Sequence, residues 1–283
     1  MVTLLKPIGH CFGVINAINL AKKVKDDFPD KNIYVFGLLV HNEEVVASLL
    51  DHGIKTIEVK EETALEQLKG FTKDDIVIFT AHGHPEAYET ILKNNGVTYF
   101  DATCVRVKEC FDVIRGAKEV IYIGKNHHPE TNAALTMNKN AHLYDISRDF
   151  DYSLVKTEDP LVINQTTLSF IELEHIHQEI KNKLPRATFY DEICNATLLR
   201  QQAIKELKDD VDTIVIVGSK KSSNTMKLYE IAVKEHPHKQ ALLINNVDDL
   251  KKQPLSFKNT VIASGTSTSI GTINLVKNYL ESI

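Results

Sequence analysis

The sequence predicts an α/β fold of three related units built on parallel sheets. Three observations carry this. Short apolar runs alternate with stretches whose apolar residues fall at helical spacing, as parallel strands joined by right-handed crossovers do. The runs are apolar almost throughout, as strands covered on both faces are. Cys11, Cys104 and Cys194 lie 93 and 90 residues apart, in matching surroundings. The units are expected at 12–100, 101–190 and 191–283. Residues 1–11 join the last, because the unit after Cys194 otherwise lacks a closing strand.

Each element recurs in order. A strand precedes each cysteine: Val2–Leu5, Val97–Phe100 and Ala187–Tyr190. A helix follows it. Its apolar stripe is predicted at Val14, Ile15, Ile18 and Ala21, then at Val107, Cys110, Phe111 and Ile114, then at Ala196, Leu199, Ala203 and Leu207. Next come a strand and a polar loop: Ile33–Gly37 with His41, Val120–Gly124 with His127 to Glu130, and Ile214–Gly218 with Ser222, Ser223 and Asn224. A second helix and a strand near Ile57, Leu143 and Leu243 come after. A last strand and loop complete each unit: Ile76–Phe79 with His82, Leu161–Ile163 with Thr166, and Val261–Ile262 with Ser267. From cysteine to last loop the offsets are 71, 62 and 73 residues.

The 33 Lys and Arg against 38 Asp and Glu leave a net charge of −5. A sequence-independent nucleic-acid binder needs a basic footprint, so that class is not expected. No run of 18 apolar residues and no signal peptide is seen. A cytoplasmic protein is therefore expected, its four cysteines thiols or metal ligands rather than disulfides.

Ligands of open α/β sheets lie beyond the carboxyl ends of the strands. All the polar residues above follow strands, so three facing units would gather them in one cavity. A single cysteine is usually a small buried apolar residue, but three at equivalent places point to a soft metal or an iron–sulfur cluster. At helix N-termini they are expected to favour thiolate. Cys110 lies off the pattern and reads as core. A lone histidine is usually structural; His41, His82 and His128 at strand ends suit an anion or a metal. His10, His84 and His127 adjoin the site and stay open, while the other histidines read mostly as surface residues. Gly218–Asn224 and Ala263–Ser267 suit phosphate cradles or plain helix caps, and neither is a Walker A loop. Glu130 suits a general acid, and Thr166 a hydrogen-bond relay.

In order along the chain, Gly9-His10-Cys11-Phe12-Gly13-Val14, Val40-His41-Asn42, Ala81-His82-Gly83, Asp101-Ala102-Thr103-Cys104, His128-Pro129-Glu130, Gln165-Thr166-Thr167, Ile193-Cys194-Asn195-Ala196-Thr197, Gly218-Ser219-Lys220-Lys221-Ser222-Ser223-Asn224 and Gly265-Thr266-Ser267 resemble the 4-hydroxy-3-methylbut-2-enyl diphosphate reductases of the non-mevalonate isoprenoid pathway. The resemblance implies a trefoil of α/β domains around a 4Fe–4S cluster held by Cys11, Cys104 and Cys194. It implies substrate contacts from His41, His82, His128, Thr166, Ser222, Ser223, Asn224 and Ser267. His128, Glu130 and Thr166 would serve catalysis, with proton delivery through Glu130. The reaction implied is reductive dehydroxylation of an allylic diphosphate to isopentenyl and dimethylallyl diphosphate. Two single-electron transfers from a donor such as ferredoxin or flavodoxin would drive it, with no nucleic-acid or membrane partner. The competing readings are a non-catalytic diphosphate- or cluster-binding relative and a zinc protein. His10, Val105, Ala133, Ala134, Thr266 and Ser269 depart from the usual family pattern.

Overall fold

The computed structural model describes residues 1–190, 193–253 and 259–283. The expected start of the third unit, at 191, lies outside the described residues. The chain opens with β1 (Val2–Leu4), α1 (Phe12–Asp27), β2 (Asn32–Phe36), α2 (Glu43–Asp51), β3 (Ile54–Ile57), α3 (Ala64–Lys69), β4 (Asp75–Phe79), α4 (Glu86–Asn94) and β5 (Thr98–Asp101). It continues with α5 (Val105–Gly116), β6 (Val120–Gly124), α6 (Pro129–Thr136), β7 (Ala141–Asp145), β8 (Leu161–Asn164), α7 (Phe170–Lys183) and β9 (Thr188–Tyr190). It closes with α8 (Asn195–Lys205), β10 (Thr213–Val217), α9 (Ser223–Glu235), β11 (Gln240–Ile244), α10 (Val247–Lys251), β12 (Thr260–Ser264) and α11 (Ile270–Ser282).

Three four-stranded sheets result, ordered β3-β2-β4-β5, β7-β6-β8-β9 and β11-β10-β12-β1. Every pairing is parallel. The three orders are one topology, with β1 standing in the third sheet where β5 and β9 stand in theirs. Its register, Val2 opposite Thr260 and Leu4 opposite Ile262, brings the start of the chain onto its last strand. The central strands β6, β10 and β12 are buried at every position, which is why their sequences read as unbroken apolar runs.

Each cysteine thus sits where the chain leaves one sheet for the next. Cys11 follows β1 and caps α1, Cys104 follows β5 and caps α5, and Cys194 caps α8. The backbone repeats here too. The amide of Cys11 donates to the Thr266 carbonyl at 3.0 Å, that of Cys104 to Ala81 at 3.0 Å, and that of Cys194 to Thr166 at 3.2 Å. Each acceptor lies in the loop after the strand neighbouring the cysteine's own.

Of the three predicted helix stripes, only that of α5 is right, with Val107, Cys110, Phe111 and Ile114 all buried. On α1 the inward face is Val14, Ala17, Ala21 and Val24, and Ile15 is exposed. The small Ala17 and Ala21 let that face sit close against β2 and β4. On α8 the buried side chains are Thr197, Arg200, Gln201 and Ile204, with Leu199 exposed. That face is polar and largely hydrogen-bonded: Gln201 spans the Leu168 carbonyl and the Phe170 amide, while Arg200 reaches two further carbonyls through its Nη atoms, its Nε having no partner among the described residues.

A thiol-, histidine- and hydroxyl-lined chamber as candidate active site

The loops at the carboxyl ends of the three sheets enclose a cavity of about 100 Å³. All twelve residues singled out from the sequence line it: Cys11, Cys104, Cys194, His41, His82, His128, Glu130, Thr166, Ser222, Ser223, Asn224 and Ser267. A larger cavity of about 380 Å³ lies between α4 and α5, and none of the twelve reaches it. Its charges answer one another, as in Arg115 with Glu86 and Lys108 with Asp101.

The cysteines form no disulfide. Cys11, Cys104 and Cys194 are half-buried and near enough to act electrostatically on one another. Burial pushes the thiols of Cys11 and Cys104 above their ordinary range, and helix N-terminal amides pull them only part of the way back. At these two thiols the expected pull of the helix ends toward thiolate is outweighed by desolvation. Among the described residues no three His, Cys, Asp or Glu side chains are close enough to grip a single metal ion. Gly13 holds the wall between two of the sulfurs. A Cβ there would lie 2.5 Å from Cys104 Sγ and 4.0 Å from Cys11 Sγ, so any side chain would displace sulfur.

Three imidazoles form a triangle. Ring centroids are 4.4 Å apart for His41 and His82, 5.7 Å for His41 and His128, and 5.8 Å for His82 and His128. Burial drives all three pKa values down; neighbouring imidazoles add to the effect at His82 and His128, and His128 falls to about 3, while at His41 the Glu43 carboxylate opposes it. They are neutral at neutral pH. His128 caps α6, its Nδ1 accepting from the Glu130 amide at 3.2 Å, which leaves the Nε2–H as its donor.

Glu130 is buried on the first turn of α6, fixed there by Pro129 at the helix start. Its Oε1 accepts from the Thr166 amide at 2.7 Å and from the Tyr122 hydroxyl at 3.3 Å; its Oε2 accepts from Thr166 Oγ1 at 2.9 Å. Burial raises its pKa to about 7 against the pull of these donors. A carboxyl group so tuned can give or take a proton near neutral pH.

The third wall is a cradle. Ser222 caps α9, accepting from the Thr225 amide, so the helix-cap reading and the cavity-lining reading both hold for it. Asn224 is buried, and neither end of its amide has a partner among the described residues; His41 Nε2 is in the same condition. Buried polar groups are nearly always paired, so these atoms mark where a polar ligand belongs. The Ser267 hydroxyl donates to the His41 carbonyl at 3.3 Å, and Asn42 Nδ2 donates to the Ser267 carbonyl at 2.6 Å, tying the first unit to the third.

The adjoining histidines divide. His10 stays half-buried, with an unpartnered Nε2. His84 stacks on Phe79 and pairs with Glu89, in the other cavity. His127 is exposed beside Glu61. His236, read as surface, is buried and bonded to the Ile204 carbonyl at 2.7 Å. Three contributors were not foreseen: Tyr122, Asn42 and Arg200. Tyr122 reads as one apolar strand residue among several, and nothing in sequence marks its hydroxyl. Asn42 and Arg200 act through backbone carbonyls that periodicity does not reveal. Ser269, a departure from the family pattern, caps α11 and touches Glu44, another tie between first and third units.

Such a fold and site define a class: an α/β enzyme of three like units sharing one thiol-lined chamber. The profile of the LytB protein family matches residues 2–281. The chain belongs to that family. A protein of Malacoplasma penetrans named 4-hydroxy-3-methylbut-2-enyl diphosphate reductase is 34% identical over 98% of this chain and 96% of its own. One of Bacillus cereus with the same name is 32% identical, over 99% and 90%. The solved E-1-hydroxy-2-methyl-but-2-enyl-4-diphosphate reductase of Plasmodium falciparum superposes with a TM-score of 0.86 at 27% identity, covering all of this chain and 87% of that one. A second solved reductase, described as the terminal enzyme of the non-mevalonate pathway, gives 0.69 at 27% identity over all of this chain and 99% of its own.

Proposed function

We propose that the protein is a 4-hydroxy-3-methylbut-2-enyl diphosphate reductase. The observation that carries this is the meeting of twelve side chains, drawn from all three units, on one chamber. The reaction breaks the allylic C–O bond and forms a C–H bond. It consumes two electrons and two protons, and the oxygen leaves as water. The products are isopentenyl and dimethylallyl diphosphate.

Ser222, Ser223, Asn224, Ser267, His41 and His82 hold the diphosphate. Neutral imidazole N–H groups, hydroxyls and an amide do most of this, and Arg106 is the one Lys or Arg side chain that lines the same chamber among the described residues. The free amides at the start of α9 add to the cradle. His128 and Thr166 hold the substrate hydroxyl: the Nε2–H donates, and Thr166 Oγ1, which donates to Glu130, keeps its lone pairs for accepting. Glu130, with a pKa of about 7, supplies the proton that lets oxygen depart.

Cys11, Cys104 and Cys194 hold a 4Fe–4S cluster. The donor set fits: three thiols at equivalent helix caps, with a glycine where a side chain would strike sulfur. A polynuclear cluster takes one thiolate at each of several corners, so its ligands stand wider apart than those of one zinc ion. When bound, such a cluster supplies single-electron transfer and Lewis acidity. The electrons come from a one-electron donor such as ferredoxin or flavodoxin. The domains run 12–100, 101–190 and 191–283 with 1–11, a division supported by the strand pairing of β1 with β12. Four thiols without a disulfide suit the reducing cytoplasm. No helix among the described residues is long and apolar enough to cross a membrane.

The test is an anaerobic assay with reduced methyl viologen, following both products, alongside iron and sulfide analysis. Turnover with about four iron and four sulfide per chain is expected. A colourless protein without iron or sulfide that leaves the substrate intact refutes the reading. Zinc without sulfide would favour the zinc protein, and a cluster without turnover the non-catalytic relative.

A further inference from the structure

Arg200 is buried, 5% exposed, on the helix that Cys194 caps. Its Nη1 donates to the Ala196 carbonyl at 2.7 Å, in the first turn of that helix. Its Nη2 donates at 2.7 Å to the Gly9 carbonyl, two residues before Cys11 and 191 residues away in the chain. Gly9 is held from its other side, its amide donating to Ser264 Oγ at 3.0 Å. One guanidinium therefore ties the Cys11 segment directly to the Cys194 helix. The charges it feels are those of Cys11 and Cys194. Burial draws its pKa down from its ordinary value, yet an arginine stays protonated. A buried cation needs anionic compensation, and carbonyl oxygens supply only part of it.

We propose that Arg200 is a positioning residue for the metal centre: it fixes the spacing of two of the three thiolate-bearing segments and sets a permanent positive charge beside them. This rests on the assignment of Cys11, Cys104 and Cys194 as cluster ligands. Two effects follow. The bridge holds the ligand geometry, so it slows loss of the cluster. The charge favours the reduced, more negative state, so it raises the reduction potential.

The test compares the full-length, anaerobically reconstituted wild type with R200M and R200K, by iron and sulfide content, release of iron to a chelator, and a dye-mediated potential titration. R200M, long and uncharged, should lose about tenfold in the reduction equilibrium constant, a negative shift of about 59 mV for one electron. Its iron should leave several-fold faster. R200K keeps the charge but cannot span both carbonyls; its potential should stay near wild type while iron release quickens. R200M with wild-type potential and wild-type release overturns the proposal. Should R200M fail to fold, R200K decides, and wild-type iron release in R200K refutes the bridge. A wild type that takes up no iron and sulfide refutes the cluster assignment instead, and the two failures are told apart by that control.

Discussion

Glu130→Gln separates the demands of folding from those of proton transfer. The carboxyl group's ordinary pKa is 4.5 and its folded value is about 7, raised by burial. The folded protein therefore binds this proton more tightly than the unfolded chain. By linkage, the stability this contributes is complete below pH 4.5 and is lost as pH rises through 7. At 1.36 kcal/mol per pH unit the full effect is about 3 kcal/mol. Gln is neutral at every pH and can still accept from the Thr166 amide while donating to its hydroxyl. The variant should match wild type at pH 4.5 and exceed it by up to about 3 kcal/mol at pH 8.5. Urea unfolding at pH 4.5, 7 and 8.5, with metal content equal in both proteins, reads the difference. The same variant should lose turnover. A stability difference that stays constant across pH would show that Glu130 is not held protonated by burial, and the argument would fail.

Tyr122→Phe removes one donor from the ionised carboxyl group, so the pKa of Glu130 should rise further. The alkaline limb of turnover should move up by about half a pH unit, as removal of a weak hydrogen bond warrants. Gly13→Ala sets a methyl group 2.5 Å from Cys104 Sγ; iron per chain should fall below half of wild type while circular dichroism stays the same. Asn224→Ala deletes an amide whose two ends lack protein partners. KM for the diphosphate should rise at least tenfold, about 1.4 kcal/mol, with the urea midpoint unchanged or higher.

Much of this was legible because the repeat is written in strand ends. Three cysteines at nearly equal spacing predicted three like sheets; the order 2-1-3-4 holds in the first two, and in the third β1 takes the place of the fourth strand. The loop residues were legible because every polar run follows an apolar strand, and the parallel topology sends them all to one side. Helix faces were harder to read. On α1, Ile15 draws the eye, but the close approach to the sheet selects Ala17. On α8 the buried face is Arg200 and Gln201, whose partners are carbonyl groups in distant loops. Hydrophobic periodicity carries no signal for such a face. Nor does it carry one for Tyr122, whose ring belongs to the core while its hydroxyl belongs to the site. The helix N-terminus beside each thiol is visible in sequence, but the burial that opposes it at Cys11 and Cys104 is not.

The pairing of β1 with β12 has a bearing on biogenesis. Val2 must wait for Thr260, made 258 residues later, before the strand ahead of Cys11 has a neighbour. The first two sheets need no strand from beyond Tyr190, whereas the third, and with it the ring of units, closes only once β12 has been made. A chain cut short of β12 would leave the strand ahead of Cys11 without its neighbour, so the anchorage of that first thiol depends on the part of the fold most distant from it in sequence.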